Sequence, residues 1–275
     1  AISITMPLLL RPALLLVFLT TVSSSSQLAL PALRAYAGIT ETIKHSPAFA
    51  TLTVQMEPGQ LVHAEPGAMI MMKGCTYKTQ LAGPRERGDE ATVGCFPSFS
   101  RAVLGGESLF VNVYESDPVT GGWVTLAAGC AGEIVVTDVD ADRELFVTPG
   151  AFLGCRSNVQ TDAKWKGIKG LFAGEGLFFL RAFTNNDLPG KLYMAASGAI
   201  EEMKVEVGEE LIVDSGHVLA FEDTLTYRLT GQASIKSFFM GGEGVVCLFT
   251  VRDRGPRTQA GRVWVQTHQP VRVRA

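Results

Sequence analysis

The residues best suited by type and spacing to do chemistry are three glutamates, Glu107, Glu175 and Glu243, each set among glycines. They lie in Gly105-Gly106-Glu107-Ser108-Leu109-Phe110, Ala173-Gly174-Glu175-Gly176-Leu177-Phe178 and Gly241-Gly242-Glu243-Gly244-Val245-Val246, at two equal intervals of 68 residues. A carboxylate in such a place could act as a general acid or base. It can also accept hydrogen bonds from the N–H groups of its own turn and brace it. Position-matched recurrence favours bracing, because a structural need repeats in every unit and a catalytic need seldom does.

The other reactive residues form no constellation. The histidines are 45, 63, 217 and 268, with no H-x-H pair of the kind a metal site on a β-barrel uses. The cysteines 75, 95, 130, 155 and 247 are odd in number and contain no C-x-x-C. That argues against a disulfide framework or zinc site and suits a mostly reducing compartment, with the thiols as small core residues. No G-x-S-x-G elbow and no P-loop is present. The glycine-rich copies open strands, so they lack the helix N-terminus that holds phosphate. The reading is of a protein that is not an enzyme, with no catalytic residues, cofactor or metal.

What positions these residues is a repeat, and a constant period marks a chain built from similar units. Each Gly-Glu copy leads into an apolar run and then a run opened by glycine: Gly122-Trp123-Val124, Gly190-Lys191-Leu192 and Gly261-Arg262-Val263. A second element recurs as Gln60–Ala68, Glu144–Ala151 and Glu210–His217, a strand that turns at Gly67, Gly150 or Gly216. A positive φ or a close backbone approach would reserve those places for glycine. Alternation over Phe49–Val54 followed by Pro58-Gly59 reads as strand and turn. Charged insertions at 83–90 and 252–257 fall between strands, as exposed loops do. The expected fold is all-β: three tandem modules, β-sandwich or double-stranded β-helix in character, forming one continuous domain.

Residues 1–45 stand apart. An apolar stretch broken by Arg11 and Pro12 precedes four serines, and no acidic residue comes before Glu41. That composition fits an organelle transit peptide; a secretory or bipartite leader is the alternative, with Ala35-Tyr36-Ala37 as its cleavage site. The expected divisions are 1–45 leader, 46–270 repeat domain and 271–275 basic tail. Net charge is −3 and the pI about 5.9, so no average charge calls for nucleic acid. The C-terminal region nonetheless gathers Arg252, Arg254, Arg257, Arg272 and Arg274, a candidate contact for anionic lipid. Lys164–Phe172, with Trp165, mixes lysines and apolar residues as a lipid interface does.

Several motifs in order carry a family resemblance: Pro47-Ala48-Phe49-Ala50, Glu65-Pro66-Gly67-Ala68-Met69, Gly150-Ala151-Phe152-Leu153, Gly170–Gly176, Val213–His217 and Gly261–Thr267. Across 47–268 the chain resembles the mitochondrial-biogenesis family named for altered inheritance of mitochondria. The resemblance implies a fold similar to the tryptophan-RNA-binding attenuator protein, assembled as a homotrimeric ring. It also implies a link to mitochondrial inner-membrane architecture and an inner-membrane protein complex; the leader's composition leaves a plastid or the secretory pathway as alternative locations. No catalytic or cofactor residue of the family is established, so none is carried over. The family's short Gly-Pro-Gly turn before Arg262 is replaced here by the longer arginine-rich loop. The function expected is a non-enzymatic oligomeric scaffold; the alternative is a small-molecule-binding module with a ligand held between repeats.

Overall fold

The computed structural model describes residues 38–81, 110–164, 179–184, 188–230 and 246–269. These contain nineteen strands and two short 3-10 turns. After β1 (Thr40–Lys44) come β2 (Thr51–Met56), β3 (Leu61–Ala64), β4 (Met69–Lys73), β5 (Cys75–Leu81), β6 (Phe110–Ser116) and β7 (Gly122–Ala127). The next six are β8 (Ile134–Val139), β9 (Leu145–Val147), β10 (Phe152–Arg156), β11 (Val159–Lys164), β12 (Phe179–Thr184) and β13 (Gly190–Ala195). The last six are β14 (Ile200–Val205), β15 (Glu210–Asp214), β16 (Val218–Glu222), β17 (Leu225–Thr230), β18 (Val246–Val251) and β19 (Gly261–Gln266). The three glycine-opened runs read from the sequence are β7, β13 and β19.

Alternation makes these segments strands. In β2, Leu52, Val54 and Met56 are buried, while the alternate residues Thr51 and Thr53 are half-buried, Gln55 is exposed, and Thr53 bonds Thr125 across the sheet at 2.9 Å. One pairing pattern then recurs over β2–β7, β8–β13 and β14–β19. The first strand of each unit pairs with its sixth, and so does the third. The second strand pairs with the fifth, and the fourth with the fifth. All these pairings are antiparallel. Each third strand also carries a bulge one residue in, at Ile70, Leu153 and Leu219.

Units join edge to edge. β3 of the first unit pairs with β10 of the second, and β9 of the second with β16 of the third. Two six-stranded sheets result, β5-β6-β3-β10-β13-β8 and β11-β12-β9-β16-β19-β14, each drawing half its strands from either unit. Strand β1 adds to β2, and its Glu41 carboxylate accepts hydrogen bonds from Arg156 Nε (2.7 Å) and the Tyr193 hydroxyl (3.0 Å), tying it to the second unit.

Among the described residues three apolar clusters form the core. In the third, Phe221 stacks with Phe146 (centroids 5.3 Å apart) and meets Phe179 edge-on at 5.0 Å, spacings at which aromatic pairs attract. Clusters cross unit boundaries: Leu153 of the second unit packs into the first unit's cluster, and Leu219 of the third into the second's.

Candidate interaction edges

Glu107, Glu175 and Glu243, with the segments leading into them, lie outside the described residues, as do Trp165, Arg272, Arg274 and residues 1–37. Gly67, Gly150 and Gly216 do occupy equivalent turns, each between the second and third strands of its unit. Their backbones differ. Gly67 has φ +90, and a methyl group added to it would meet nothing within 4 Å, so conformation alone reserves the place for glycine. Gly216 has no positive φ. Gly150 sits within the 3-10 turn Pro149–Ala151, and Gly216 is crowded by the Gln269 side chain.

The arginines are only partly available to an outside partner. Arg254 pairs with Asp223 at 2.7 Å and also donates to its carbonyl, while Arg252 donates to the Leu225 carbonyl. Arg257 is exposed. The loop that carries them braces itself: Asp253 Oδ1 accepts from the Gly255 N–H and the Thr258 hydroxyl, which hold its carboxyl below the usual range. Among the described residues no three His, Cys, Asp or Glu side chains are grouped to hold a metal ion. Burial pushes the Cys155 thiol up to about 12; burial and then the charge of Asp214 do the same for Cys247. Burial raises Cys75 and Cys130 as well, so each of these four thiols resists forming the nucleophilic thiolate. No described helix is long and apolar enough to cross a membrane.

What stands out is the contrast between strands that occupy the same place in the repeat. In the second and third units the third strand, β10 or β16, is covered on both sides, and every residue from Phe152 to Cys155 and from Val218 to Glu222 is buried. In the first unit that strand is β4, which ends its sheet beyond β7. There Ile70 is 53% exposed and Met71 52%, although Leu153 and Leu219, the counterparts of Ile70, are each 1% exposed. The same holds at the far end of the chain. Second strands β3 and β9 lie inside six-stranded sheets, whereas β15 is the edge of the three-stranded sheet β15-β18-β17. Ile212 on β15 is 64% exposed, while Ala64 and Val147, matched to it by their pairing with the fifth strand, are fully buried. Long apolar edges are templates for further pairing, and native proteins seldom leave them bare.

Repeated six-strand units, joined through their sheets and open at one third strand and one second strand, define the class: a modular β-protein with unsatisfied pairing edges among its described residues. The chain belongs to the family described as Mitochondrial biogenesis AIM24, which it matches over residues 42–268. It is 28% identical over 210 residues to an uncharacterized protein of Streptococcus pyogenes serotype M6, covering 76% of this chain and 80% of that one. The crystal structure of protein SPYM3_0169 from Streptococcus pyogenes superposes with a TM-score of 0.62 at 22% identity, over 84% of this chain and 94% of that one, a likeness of fold.

The edge residues were not visible to sequence reasoning. Ile70, Leu153 and Leu219 are all aliphatic at one repeat position, so nothing in their identity separates the exposed one from the buried two. Only the pairing of each strand's far side does.

Proposed function

We propose that the chain is a non-enzymatic scaffold subunit that assembles with further copies of itself and supports a protein assembly at the mitochondrial inner membrane. The observation that carries this reading is the pair of open edges: among the described residues, β4 and β15 lack the partner that every equivalent strand inside the chain possesses. The apolar side chains there favour burial at roughly 25 cal/mol per Å² of apolar surface removed from water. Membership of a mitochondrial-biogenesis family supports the cellular setting. The homotrimer is the state implied by the resemblance to relatives. Peripheral contact with anionic lipid through the arginine-rich C-terminal region belongs to the same reading, with Arg257 its most accessible described residue.

The test is to isolate the endogenous protein under native conditions, measure its mass by light scattering and identify what co-purifies. A mass of several chains with inner-membrane proteins alongside is the expected result. A lone chain without such partners defeats the reading. A metabolite that raises the melting temperature of that lone chain would replace it with a ligand-binding role, since a ligand specific to the folded state must stabilise it.

A further inference from the structure

We infer that β15 of one copy pairs antiparallel with β4 of a second copy in a single register, Ile212 opposite Met71 and Glu210 opposite Lys73, with Ile70 seated on the third unit of its neighbour. This rests on the oligomeric reading above and names the surfaces that carry it.

The two junctions inside the chain set the register. At the first, Ala64 faces Gly154, His63 faces Cys155 and Val62 faces Arg156. At the second, Val147 faces Ala220, Phe146 faces Phe221 and Leu145 faces Glu222. The third-strand members correspond by their pairing with the sixth strand: Gly154 faces Tyr193, Ala220 faces Trp264, and Met71 faces Thr125, each just beyond the bulge. The second-strand members correspond by the fifth: His63 faces Val113, Phe146 faces Arg181 and Leu211 faces Phe249. The place held by Ala64 and Val147 is therefore held by Ile212, and that held by Gly154 and Ala220 by Met71. One residue further out, Val62 and Leu145 correspond to Glu210, and Arg156 and Glu222 to Lys73.

Three features agree with that pairing. The first is sheet completion. The half-sheets left open are β17-β18-β15 at one end and β4-β7-β2-β1 at the other. Joined at β15 and β4 they run fourth, fifth, second, third, sixth and first strand, the order of both internal six-stranded sheets, with β1 appended.

The second is apolar burial. Leu153 shares a cluster with Val62 and Ala64, and Leu219 shares one with Leu145 and Val147. The bulge residue of each internal third strand thus joins the core cluster that holds the second strand of the preceding unit. Ile70 is the bulge residue without such a seat among the described residues, and Ile212 stands where the seat would be. Side-chain volumes have shifted to match. The sixth strand carries Tyr193 against Gly154 and Trp264 against Ala220, but only Thr125 against Met71. Methionine thus faces threonine where glycine or alanine faces an aromatic ring at the internal junctions.

The third is charge. Lys73 and Glu210 are both exposed in the single chain, and the register sets them directly across from each other. Directly opposed residues on antiparallel strands lie about 4.5–5.5 Å apart at Cα, within reach of an ion pair and of a disulfide. Pairing of β4 with β4, or β15 with β15, would instead oppose like surfaces and leave both half-sheets incomplete.

The experiment is cross-linking of the full chain with Cys75, Cys95 and Cys130 replaced by serine. Met71→Cys with Ile212→Cys should yield reducible multimers under mild oxidation. Neither single variant should cross-link, and Met71→Cys with Glu210→Cys, set two residues out of register, should cross-link far less. Cross-linking by a single variant, or equally by the offset pair, overturns the arrangement. Light scattering on the same samples separates the two readings. Multimers without a Met71–Ile212 link overturn this register and leave self-assembly standing, whereas a monomer overturns both. Ile212→Lys gives a second test, since Ile212 is exposed in the lone chain. It should preserve strand circular dichroism and reduce the mass to one chain; an unchanged mass contradicts the proposal.

Discussion

Leu153 and Ile70 occupy the same bulge in successive units, yet Leu153 is 1% exposed and Ile70 53% exposed. The difference comes from what lies beyond each strand. Beyond β10 stands β3, with Val62 and Ala64 in the cluster that takes up Leu153; beyond β4 the described residues supply no strand. The same place in the repeat thereby makes one residue part of a core and the other part of a surface.

Leu153→Ala should lower stability by about 2–5 kcal/mol, the usual cost of emptying a close-packed aliphatic site. Ile70→Ala should shift the stability of a dilute single chain by no more than about 0.5 kcal/mol, as exposed substitutions do. At concentrations where copies assemble, the Ile70 variant should lose more than that, because assembly adds to apparent stability. Urea midpoints measured across protein concentration will distinguish the two variants; equal, concentration-independent losses would show that Ile70 has no seat.

Gly67→Val should cost roughly 1–3 kcal/mol. Gly67 stands at φ +90 with open space around it, so the penalty is one of backbone conformation alone. Gly216→Ala should be milder, since Gly216 has no positive φ and the flexible Gln269 side chain that crowds it can move. Thermal unfolding of the two variants checks the order.

Glu222→Ala should destabilise by about 3–5 kcal/mol. Glu222 is 1% exposed and accepts from the Arg262 backbone N–H (3.0 Å) and from Arg262 Nε (2.8 Å), while Arg143 Nη1 stands 3.7 Å away. Its removal leaves the partly buried Arg262 guanidinium with only the more distant Glu202, 3.6 Å away. Arg262→Met, which spares the stem but not the charge, should also destabilise, because it leaves the buried carboxylate with Arg143 alone, at 3.7 Å, as its ion partner. Denaturant titration reads both.

Stability should fall as pH rises through the alkaline range. The thiols of Cys155 and Cys247 are pushed up from 9.0 to about 12, and the Tyr227 hydroxyl from 10.0 to about 12 by burial and then by Cys247. All three are acids whose neutral form the fold retains. Their contribution is complete below the unfolded values, 9.0 for the thiols and 10.0 for the hydroxyl, and is lost as pH climbs toward 12, because only the unfolded chain then releases their protons. Urea midpoints between about pH 8 and pH 11 should decline, and Cys247→Ala should flatten part of that slope.

For the lipid contact, vesicle cosedimentation should separate two kinds of arginine. Arg257→Ser should weaken binding to anionic vesicles by up to about 1 kcal/mol, without affecting neutral ones. Arg254→Ser should chiefly reduce stability, because it breaks the pair with Asp223. Equal sedimentation with neutral vesicles would count against an electrostatic attachment.

The amino-acid sequence alone determined the local elements. Alternating apolar residues, β-branched runs and glycines 122, 190 and 261 at strand starts are short-range signals, and they dictate strand and turn wherever they occur. The equal spacing of the glutamates likewise exposed the repeat, although those glutamates lie outside the described residues. Similar residues could not reveal different surroundings. Gly67 and Gly216 end matching strands, but only the folded turn decides which of them takes a positive φ. Arg254 reads as one of several surface arginines until the fold brings Asp223, 31 residues away in the chain, against it. Above all, tertiary structure decided which strands of the repeat are covered. A second or third strand presents the same pattern of side chains whether or not another strand lies beside it. Its burial is set by backbone pairing between residues far apart in the chain, as when Ala64 meets Gly154, and that pairing leaves no mark on the spacing of nearby residues.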